Sequence, residues 1–366
     1  MIARVSGSGE RISTYEIDDT QMSTGSTIGA PRGVLELKAN GSIKKFYSVD
    51  AGEVLISGVQ IRYWDESTGI TLNALPGDFI IHPDRQEHIF ELSNGVVVNE
   101  SVFMLNGPPQ LREADPPIAY YQVTLTNATP REVNISAIAA ANVRGGTADD
   151  VRVRYDEELQ AFVVDNREYS QFARAFGASR RPTSWELTHD HGKCSRPDFP
   201  GKLPNRIQRG GNEFIALLHH HHRLAPRRKV EISYVLAASS SGVRGVRKTY
   251  ADAPGTNDAL ERTRRRYHMI LNRAVVMTPD QFVNRGVLWA KANMLRTQLL
   301  TDTGWCFVND PTRSNNSVGR DTAWFAFGSD YVMPDFSRES LLWYIEHLEK
   351  SGMVAEYYDV RTGKSE

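Results

Sequence analysis

Three things are scarce in this chain: cysteine, net charge and long apolar runs. Its 366 residues include only two cysteines, Cys194 and Cys306, which cannot form a disulfide framework and suggest a reducing compartment or two buried thiols. The formal net charge of −1 creates no field that favours nucleic acid or an acidic membrane. No stretch approaches the ~18 apolar residues of a membrane-spanning helix, and the N-terminus has no secretion signal. We therefore expect a cytoplasmic protein that binds neither nucleic acid nor membrane.

Several catalytic motifs are also missing. The sequence contains no GxSxG nucleophile motif, no Walker loop and no GxGxxG in a strand–helix context. Neither cysteine lies in a motif that marks a nucleophile, and no internal repeat or low-complexity segment is found. Function must therefore be sought in less standard groupings of side chains.

The first 250 or so residues have the texture of strands. Short β-branched and aromatic runs such as "GVQIRYWDE", "AYYQVTLTNAT" and "KVEISYVLAAS" are separated by turn signals such as Asn40-Gly41 and Asn94-Gly95. Val123 and Leu125 alternate with polar neighbours, as in a strand with one wet face. The block is longer than a minimal seven-stranded sandwich, so we predict a large two-sheet β-sandwich domain over residues 1–253.

Helical patterns follow from "ADAPGTNDAL" onward. We predict a helical linker over 254–275, capped by Asn257 or Asp258, and a second helix capped by Thr278 with Pro279 at its first position. A short helix beginning near Thr322 and a longer one over about 336–350 come next. The apolar stripes on these helices are formed by Val283, Val287, Ala290 and Met294, and by Leu341, Ile345 and Leu348. One-sided stripes must be buried, either on the sandwich or, as we favour, against further helices of a longer protein.

Three histidine-containing segments could suggest metal binding. "THDHGKC" offers His189, His191 and Cys194, but a structural zinc site needs four ligands and no partner motif is evident. In "HHHHR", residues 219–223, alternate histidines of a strand would face opposite sides. We therefore expect a polar surface loop and an ordinary strand.

The third segment, "GDFIIHPDRQEHIFEL", contains His82, Glu87 and His88 and resembles part of a cupin metal motif. The upstream half of that motif, a glycine-led HxH with a following Glu, is missing. We therefore expect no metal and no organic cofactor.

The loop–helix region 305–331 has a composition that suits sugars. Sugars present apolar C–H faces and a rim of hydroxyl groups, which favour aromatic rings together with Asn, Asp and Arg side chains. Glycoside hydrolysis also needs a carboxylic acid and a second carboxylate. The candidate residues are Trp305, Asn309, Asp310, Arg313, Asn315, Asn316, Arg320, Asp321, Trp324, Asp330 and Tyr331.

Asp321 has two interpretations from chemistry alone, and we leave them equal. As an N-cap it would close the helix beginning at Thr322. As a catalytic acid it would need a raised pKa, which burial against Trp324 favours and the neighbouring Arg320 opposes.

A family resemblance bears on this choice. The segment "SVGRDTAWFAFGSDYVMPDFSRESLLWYIEHLEKSGMVAEYYDVRTGKSE" resembles the opening of the (α/α)6 barrel of glycogen-debranching, amylo-α-1,6-glucosidase-like glycoside hydrolases. The core of the match, residues 319–322, is similar to the GRDT signature of that family, whose aspartate acts as general acid. The preceding β-rich block is similar to the supersandwich found before such barrels, and residues 276–366 would be the N-terminal part of the barrel.

The resemblance implies an inverting glycosidase that acts on α-glucosidic linkages of an oligo- or polysaccharide. It places the general acid at Asp321, stacking platforms at Trp305 and Trp324, and rim ligands at Arg320, Asn316 and Asp330. The family's second carboxylate comes from the later part of the barrel, so we expect the site to be completed by that part or within a homo-oligomer. Two alternatives stay open: a glycoside phosphorylase of similar architecture, and a non-catalytic carbohydrate-binding or assembly module.

Overall fold

The computed structural model describes residues 15–18, 25–48, 56–107, 113–144, 151–167, 169–193, 201–209, 213–311 and 314–365. For strand β1 the structure describes the backbone alone. Cys194 and Arg313 lie outside the described residues.

Two nine-stranded sheets form most of the molecule. The first sheet has the order β1-β7-β8-β9-β10-β18-β14-β13-β12 and contains only antiparallel pairs. Its strands are β1 (Tyr15–Asp18), β7 (Asp78–Ile81), β8 (Arg85–Glu91), β9 (Val96–Met104), β10 (Ile118–Asn127), β12 (Val151–Asp156), β13 (Ala161–Asn166), β14 (Ala173–Ala178) and β18 (Lys229–Ser239).

The second sheet has the order β16-β15-β17-β11-β5-β4-β3-β2, with the short β6 paired to β5. Its strands are β2 (Thr27–Ala30), β3 (Gly33–Leu37), β4 (Ile43–Ser48), β5 (Ile56–Asp65), β6 (Ile70–Thr71), β11 (Val133–Arg144), β15 (Ser184–Thr188), β16 (Arg206–Ile207) and β17 (Glu213–Leu224). Two small hairpins lie beside the helices: β19 (Gln298–Thr301) with β20 (Gly304–Phe307), and β21 (Asn316–Val318) with β22 (Tyr357–Asp359).

The main core lies between the two large sheets. Val123 and Leu125 of β10 are fully buried, whereas the threonines beside them are only half-buried, so the predicted alternation is confirmed. Large side chains from both sheets share this core, among them Phe46, Tyr121 and Phe162. Burying one such side chain stabilises the folded state by about 1.5–3 kcal/mol. A polar residue at the same inward-facing position would lose this stabilisation, so few such positions are polar.

Five helices follow the last sandwich strand. They are α1 (Gly242–Ala251), α2 (Thr256–Leu271), α3 (Gln281–Arg296), α4 (Gly319–Ser329) and α5 (Pro334–Glu346). The strand-like texture predicted to continue to about 250 is wrong at its end, because β18 stops at Ser239 and α1 follows. Val246 of α1 is fully buried against Ala175 and Val235 of the first sheet. Tertiary packing therefore stabilises a helix that the local sequence pattern does not indicate.

The helix starts differ from the predicted ones. Gly255, not Asn257 or Asp258, is the N-cap of α2. Asp280 caps α3 by accepting a hydrogen bond from the Phe282 backbone N–H at 2.8 Å, so the expected Thr278 cap is wrong by two residues. The Thr278 hydroxyl instead binds the Asn284 side chain at 3.0 Å. Helix α5 begins at Pro334 and ends at Glu346, earlier at both ends than predicted.

In the described part of the chain the apolar stripe of α5 faces solvent, whereas on α3 Val287 and Met294 are half-buried and Met294 packs against the cluster that contains Leu295. Leu341, Ile345 and Leu348 are 41%, 62% and 38% exposed. On α3 Val283 is also exposed, and the buried positions are instead Lys291, Ala292 and Leu295. The sandwich therefore does not cover these stripes, so the first possibility, burial on the sandwich, is wrong. None of the described helices combines the length and apolar character required to cross a bilayer.

Candidate active site

Helix α4 receives its position from the two small hairpins. Strand β21 runs directly into the helix, so Val318 is both its last residue and the N-cap of α4. The Gly319 backbone N–H donates to the Glu356 carbonyl at 3.2 Å, next to the strand β22 that pairs with β21. The first turn of α4 is therefore anchored by backbone hydrogen bonds on one side.

A buried hydroxyl network fixes the same turn from within. The Tyr344 hydroxyl of α5 donates to Ser317 Oγ at 2.7 Å, and Ser317 Oγ donates to the Phe307 carbonyl at 2.6 Å. Thr322 Oγ1 lies 3.3 Å from the Tyr344 hydroxyl, and all three hydroxyl-bearing side chains are buried. Buried networks of this kind specify a unique arrangement because an unpaired hydroxyl would cost about 1–3 kcal/mol.

Asp321 lies in that first turn with its carboxyl group open to solvent. The side chain is 25% exposed, and Arg320 Nε donates to its Oδ1 at 2.9 Å. The Asn309 side-chain amide donates a short hydrogen bond to Oδ2. The N-cap interpretation is wrong, because α4 begins at Gly319 and Val318 caps it without a side-chain hydrogen bond. The carboxyl group is therefore held by side chains and is not used to close the helix.

The electrostatics favour the charged carboxylate. The Asn309 amide and then the Arg320 guanidinium lower the pKa of Asp321 below its ordinary value. In return, Asp321 raises the pKa of Arg320. In the described chain Asp321 is thus an anion at neutral pH, whereas a general acid must carry a proton when its substrate binds.

Trp324 supplies the aromatic neighbour that the sequence predicted. It lies three residues after Asp321, so the two side chains share one face of α4. Its indole is 70% exposed and packs edge-on against Phe327, with ring centroids 5.8 Å apart. Tyr331 is 78% exposed just beyond the helix. An accessible carboxylate with exposed aromatic rings is an arrangement that can hold a sugar.

The other predicted ligands are placed differently. Trp305 is only 9% exposed and contacts Phe336 edge-on. Together with Arg266 and Gln298, both residues line a cavity of about 130 Å3. The structure therefore places Trp305 in a packed cluster and not on an open surface. Asn316 lies on β21 opposite Asp359, and Asp330 is an exposed residue at the C-terminal end of α4, opposite the end that carries Asp321.

The described histidines of these segments contact groups of the protein itself. His82 and Arg85 both contact Glu87, at 3.2 and 2.8 Å, whereas the His88 ring stacks on Phe79. Burial tends to raise the pKa of Glu87, but His82 and Arg85 lower it to about 2. His189 binds the Glu213 carbonyl at 2.9 Å. Among the residues that the structure describes, no cluster of three or more His, Cys, Asp or Glu side chains could hold a metal ion.

The run 219–222 alternates as a strand should. His219 and His221 both approach Glu66, at 3.5 and 3.2 Å. His220 and His222 lie on the opposite face of β17, with parallel rings 6.4 Å apart. The expected division of these histidines between two faces is therefore confirmed.

Comparison with solved structures shows where this architecture recurs. Over 93% of its length the chain superposes on 49% of a protein described as a kojibiose phosphorylase from the human microbiome, with a TM-score of 0.62 and 10% identity. It also superposes on a bacterial glucoamylase complexed with acarbose (TM-score 0.53, 9% identity, 97% of this chain and 56% of that one). A family GH92 inverting mannosidase from Bacteroides thetaiotaomicron gives a TM-score of 0.51 at 10% identity, over 93% of this chain and 47% of that one.

The chain shares its fold with these carbohydrate-active enzymes. It spans about half the length of the solved structures it matches. No family model and no curated protein sequence matches the chain. The predicted resemblance is thus supported at the level of fold, and the narrower assignment to debranching enzymes stays a prediction.

Sequence reasoning did not identify the residues that surround Arg320 and Asp321. Glu356 and Tyr357 act electrostatically on Arg320, and Tyr357 is also within electrostatic reach of Asp321. Glu356 directly precedes β22 and Tyr357 is its first residue, and both lie 35 or more residues after Asp321 in the sequence. Only the long-range pairing of β21 with β22 brings them close. Asn309 was among the candidate polar residues, but no local pattern indicated that it binds Asp321.

The contact with Asn309 leads to a testable pKa. Replacing Asn309 by alanine removes the donor that most stabilises the Asp321 anion, so the pKa of Asp321 should rise toward its ordinary value. An NMR titration that follows the side-chain carboxyl carbon of Asp321 would measure this change. Asn272→Ala is a matched control, because the Asn272 side chain donates to the His268 carbonyl at the end of α2. An unchanged Asp321 titration in Asn309→Ala would contradict the described contact.

Proposed function

We propose that this chain provides the general-acid half of an inverting glycoside hydrolase acting on α-glucosidic bonds. The supporting observation is the accessible Asp321 carboxyl group beside exposed Trp324, in a fold shared with glycosidases and a phosphorylase. Trp324 would stack on a sugar ring, and Arg320 would bind its hydroxyl groups. Asn316 and Asp330 would supply further polar contacts, and Trp305 would support the site from the packed cluster behind it.

In this mechanism Asp321 donates its proton to the glycosidic oxygen as the bond to the anomeric carbon breaks. A second carboxylate takes a proton from water, whose oxygen attacks the anomeric carbon from the opposite face, and the configuration inverts. For an inverting pair we expect a separation of roughly 6.5–9.5 Å between the two carboxyl groups. The second carboxylate would lie on further helices that complete the barrel.

The exposed helical stripes support such an addition. Leu341 and Ile345 on α5 and Val283 on α3 present apolar side chains that further helices would bury. We accordingly propose residues 1–253 as a supersandwich domain, 254–275 as a linker and 276–366 as the first part of a helical barrel. Closing the barrel would also remove water from Asp321, which raises the pKa of a carboxyl group and makes it a better proton donor.

A phosphorylase is the second candidate. One of the solved structures that matches most of the chain is described as a kojibiose phosphorylase. In phosphorolysis, phosphate replaces both the water and its base, so Asp321 could act without a second carboxylate. Arg320, whose side chain is 71% exposed, forms an ion pair with Asp321 and would be the cation that binds the phosphate. The sugar product would then be a glucose 1-phosphate.

The two reactions are separated by their products. The protein, with the helices that complete the site, would be incubated with kojibiose, maltooligosaccharides and an α-1,6-branched glucan, with and without inorganic phosphate. Proton NMR would identify the first product. Free β-glucose formed without phosphate supports the hydrolase, and β-glucose 1-phosphate formed only with phosphate supports the phosphorylase. Saccharide binding without turnover of any substrate would contradict both reactions and favour a non-catalytic module.

A further inference from the structure

The second sheet has a gap along β5. Strand β4 pairs with β5 up to Val59, and β6 pairs with it from Trp64 onward. Between these points, along the described part of the chain, Gln60–Arg62 has a strand neighbour only on its β11 side. A cavity of about 220 Å3 opens at this gap and reaches the space between the two sheets.

The floor of the cavity is a buried carboxyl group. Glu100 on β9 is 6% exposed, although the residues two positions before and after it on the same face of the strand, Val98 and Val102, belong to the apolar core. The Tyr63 hydroxyl donates to one of its oxygens and the Tyr121 hydroxyl to the other, each at 2.7 Å. His88 Nδ1 lies 4.0 Å from the second oxygen. Four strands from two sheets thus place polar groups at one point in the interior.

The walls of the cavity are divided by polarity. Phe90 and Leu92 form an apolar side and are buried. Asn40, Arg62 and Ala74 lie at the exposed mouth, so the cavity communicates with solvent. Its volume is below the ~300–1,000 Å3 typical of pockets for drug-sized molecules, which indicates a small ligand.

We propose that this cavity binds a small neutral polyhydroxylated molecule of about the size of one hexose, with Glu100, Tyr63 and Tyr121 as its hydrogen-bond partners. Each Glu100 oxygen accepts one hydrogen bond from a tyrosine hydroxyl and has a lone pair for a second donor, and each tyrosine oxygen retains acceptor capacity. A ligand with several hydroxyl donors meets this requirement, and its C–H face would pack on Phe90. The site is independent of Asp321, which belongs to the helical part of the chain.

The charge of the site argues against ionic ligands. An anion would be repelled by Glu100 if that group were ionised. A cation would be held best by an ionised Glu100, and burial disfavours that form: it raises the pKa of this carboxyl group despite the two tyrosine hydrogen bonds that lower it. A neutral ligand avoids both conflicts. Its hydroxyl groups can be buried at low cost because they would be hydrogen-bonded, whereas burying a charge costs far more.

Calorimetric titration of the protein with glucose, galactose and mannose tests the proposal, with maltose added to distinguish a free monosaccharide from a chain end. We expect at least one hexose to bind, and Tyr63→Phe and Tyr121→Phe each to weaken binding by tenfold or more. Ala74→Trp, at the exposed mouth, should abolish binding without disturbing the core. Tyr234→Phe is the matched control, because that buried hydroxyl hydrogen-bonds His220 at 3.2 Å and interacts with Glu100 only through electrostatics. Asp321→Asn should retain this binding, which separates the site from the proposed catalytic one.

Three results would overturn the proposal. One is the absence of binding of every hexose at millimolar concentration to a protein whose circular dichroism is native. Another is hexose binding that Tyr63→Phe and Ala74→Trp leave unchanged. The third is tighter binding of tetramethylammonium than of any hexose, which would identify a cation site.

Discussion

Replacing Asp321 by asparagine is expected to lower the turnover number for α-glucoside cleavage by about 10²- to 10⁴-fold, the usual contribution of a positioned acid. The amide keeps the size of the side chain and can still accept a hydrogen bond from Arg320, but it cannot deliver a proton to the glycosidic oxygen. Because the native side chain is partly exposed and does not cap α4, the folded structure should be retained.

The measurement is steady-state kinetics on the substrates that the intact protein cleaves, together with a thermal melt. Asp335→Asn is the matched control, because Asp335 also lies in the first turn of a helix, α5, and is exposed. Substrates with a good leaving group need less protonation, so their cleavage should be much less affected in Asp321→Asn. An equal loss for good and poor leaving groups, or no loss at all, would exclude Asp321 as the general acid.

The Asn309 contact gives the same hypothesis a pH signature. A general acid works only while protonated, so activity falls as the pH rises above its pKa. Asn309→Ala raises the pKa of Asp321 and should therefore move this alkaline limb to higher pH. The limb would not move if another group supplied the proton.

Strand patterns were predictable from the sequence because burial repeats every second residue. The alternation of Val123 and Leu125 is a direct consequence of one face of β10 packing in the main core. The run containing Glu100 shows the limit of this reasoning. "GVVVNESVFML" indicates a buried strand, but only the pairing of β9 with β10 and the facing sheet reveal two tyrosines that bind the carboxyl group.

Helix amphipathicity was predictable, but the side that would be buried was not. On α5 the aliphatic residues face solvent, and Trp343 and Tyr344 form the packed side. Both can be buried because their polar atoms are bonded: Trp343 Nε1 donates to Thr303 Oγ1 at 3.0 Å, and the Tyr344 hydroxyl donates to Ser317. These partners lie 27 or more residues away, so no local pattern specifies them.

The sequence singled out Asp321, whose catalytic role stays a prediction, but it did not indicate the groups that contact its carboxyl group. The segment 319–322 and its resemblance pointed to Asp321, and the structure shows its carboxyl group accessible on α4. Its binding to Asn309 and the closeness of Glu356 depend on loops and hairpins joined by tertiary pairing. The lowered pKa of Asp321 follows from those contacts and could not be read from composition.

The stability of the sandwich is expected to fall steeply as the pH decreases from about 6.5 to 5. His220 is 2% exposed and lies between the Arg180 carbonyl, at 3.1 Å, and the Tyr234 hydroxyl, at 3.2 Å. Burial lowers its pKa to about 4, and the nearby Arg180 side chain also opposes the charged form. In the unfolded chain the same imidazole titrates near its ordinary value of about 6.5.

The sign follows from proton binding. Between the two pKa values the unfolded state binds a proton that the folded state does not, so acidification favours unfolding. Between pH 6.5 and 5 this amounts to about 1.6 kcal/mol for one histidine, because the slope approaches 1.36 kcal/mol per pH unit only when the unfolded-state imidazole is fully protonated. His222, whose pKa burial also lowers to about 4, contributes in the same direction. Glu87 titrates near pH 2 in the folded state and, with an ordinary carboxyl value in the unfolded one, contributes chiefly below this window.

Urea denaturation at pH 5.0, 5.5, 6.0, 6.5 and 7.0 would measure the effect. In His220→Gln the difference in unfolding free energy between pH 6.5 and 5 should decrease by about 1.6 kcal/mol, whatever the variant's stability at pH 7. The comparison of slopes is informative because the lost contacts to Arg180 and Tyr234 affect stability at every pH equally. His191→Gln is the matched control, since His191 is exposed. Equal slopes in the native protein and in His220→Gln would show that this imidazole is not buried in its neutral form.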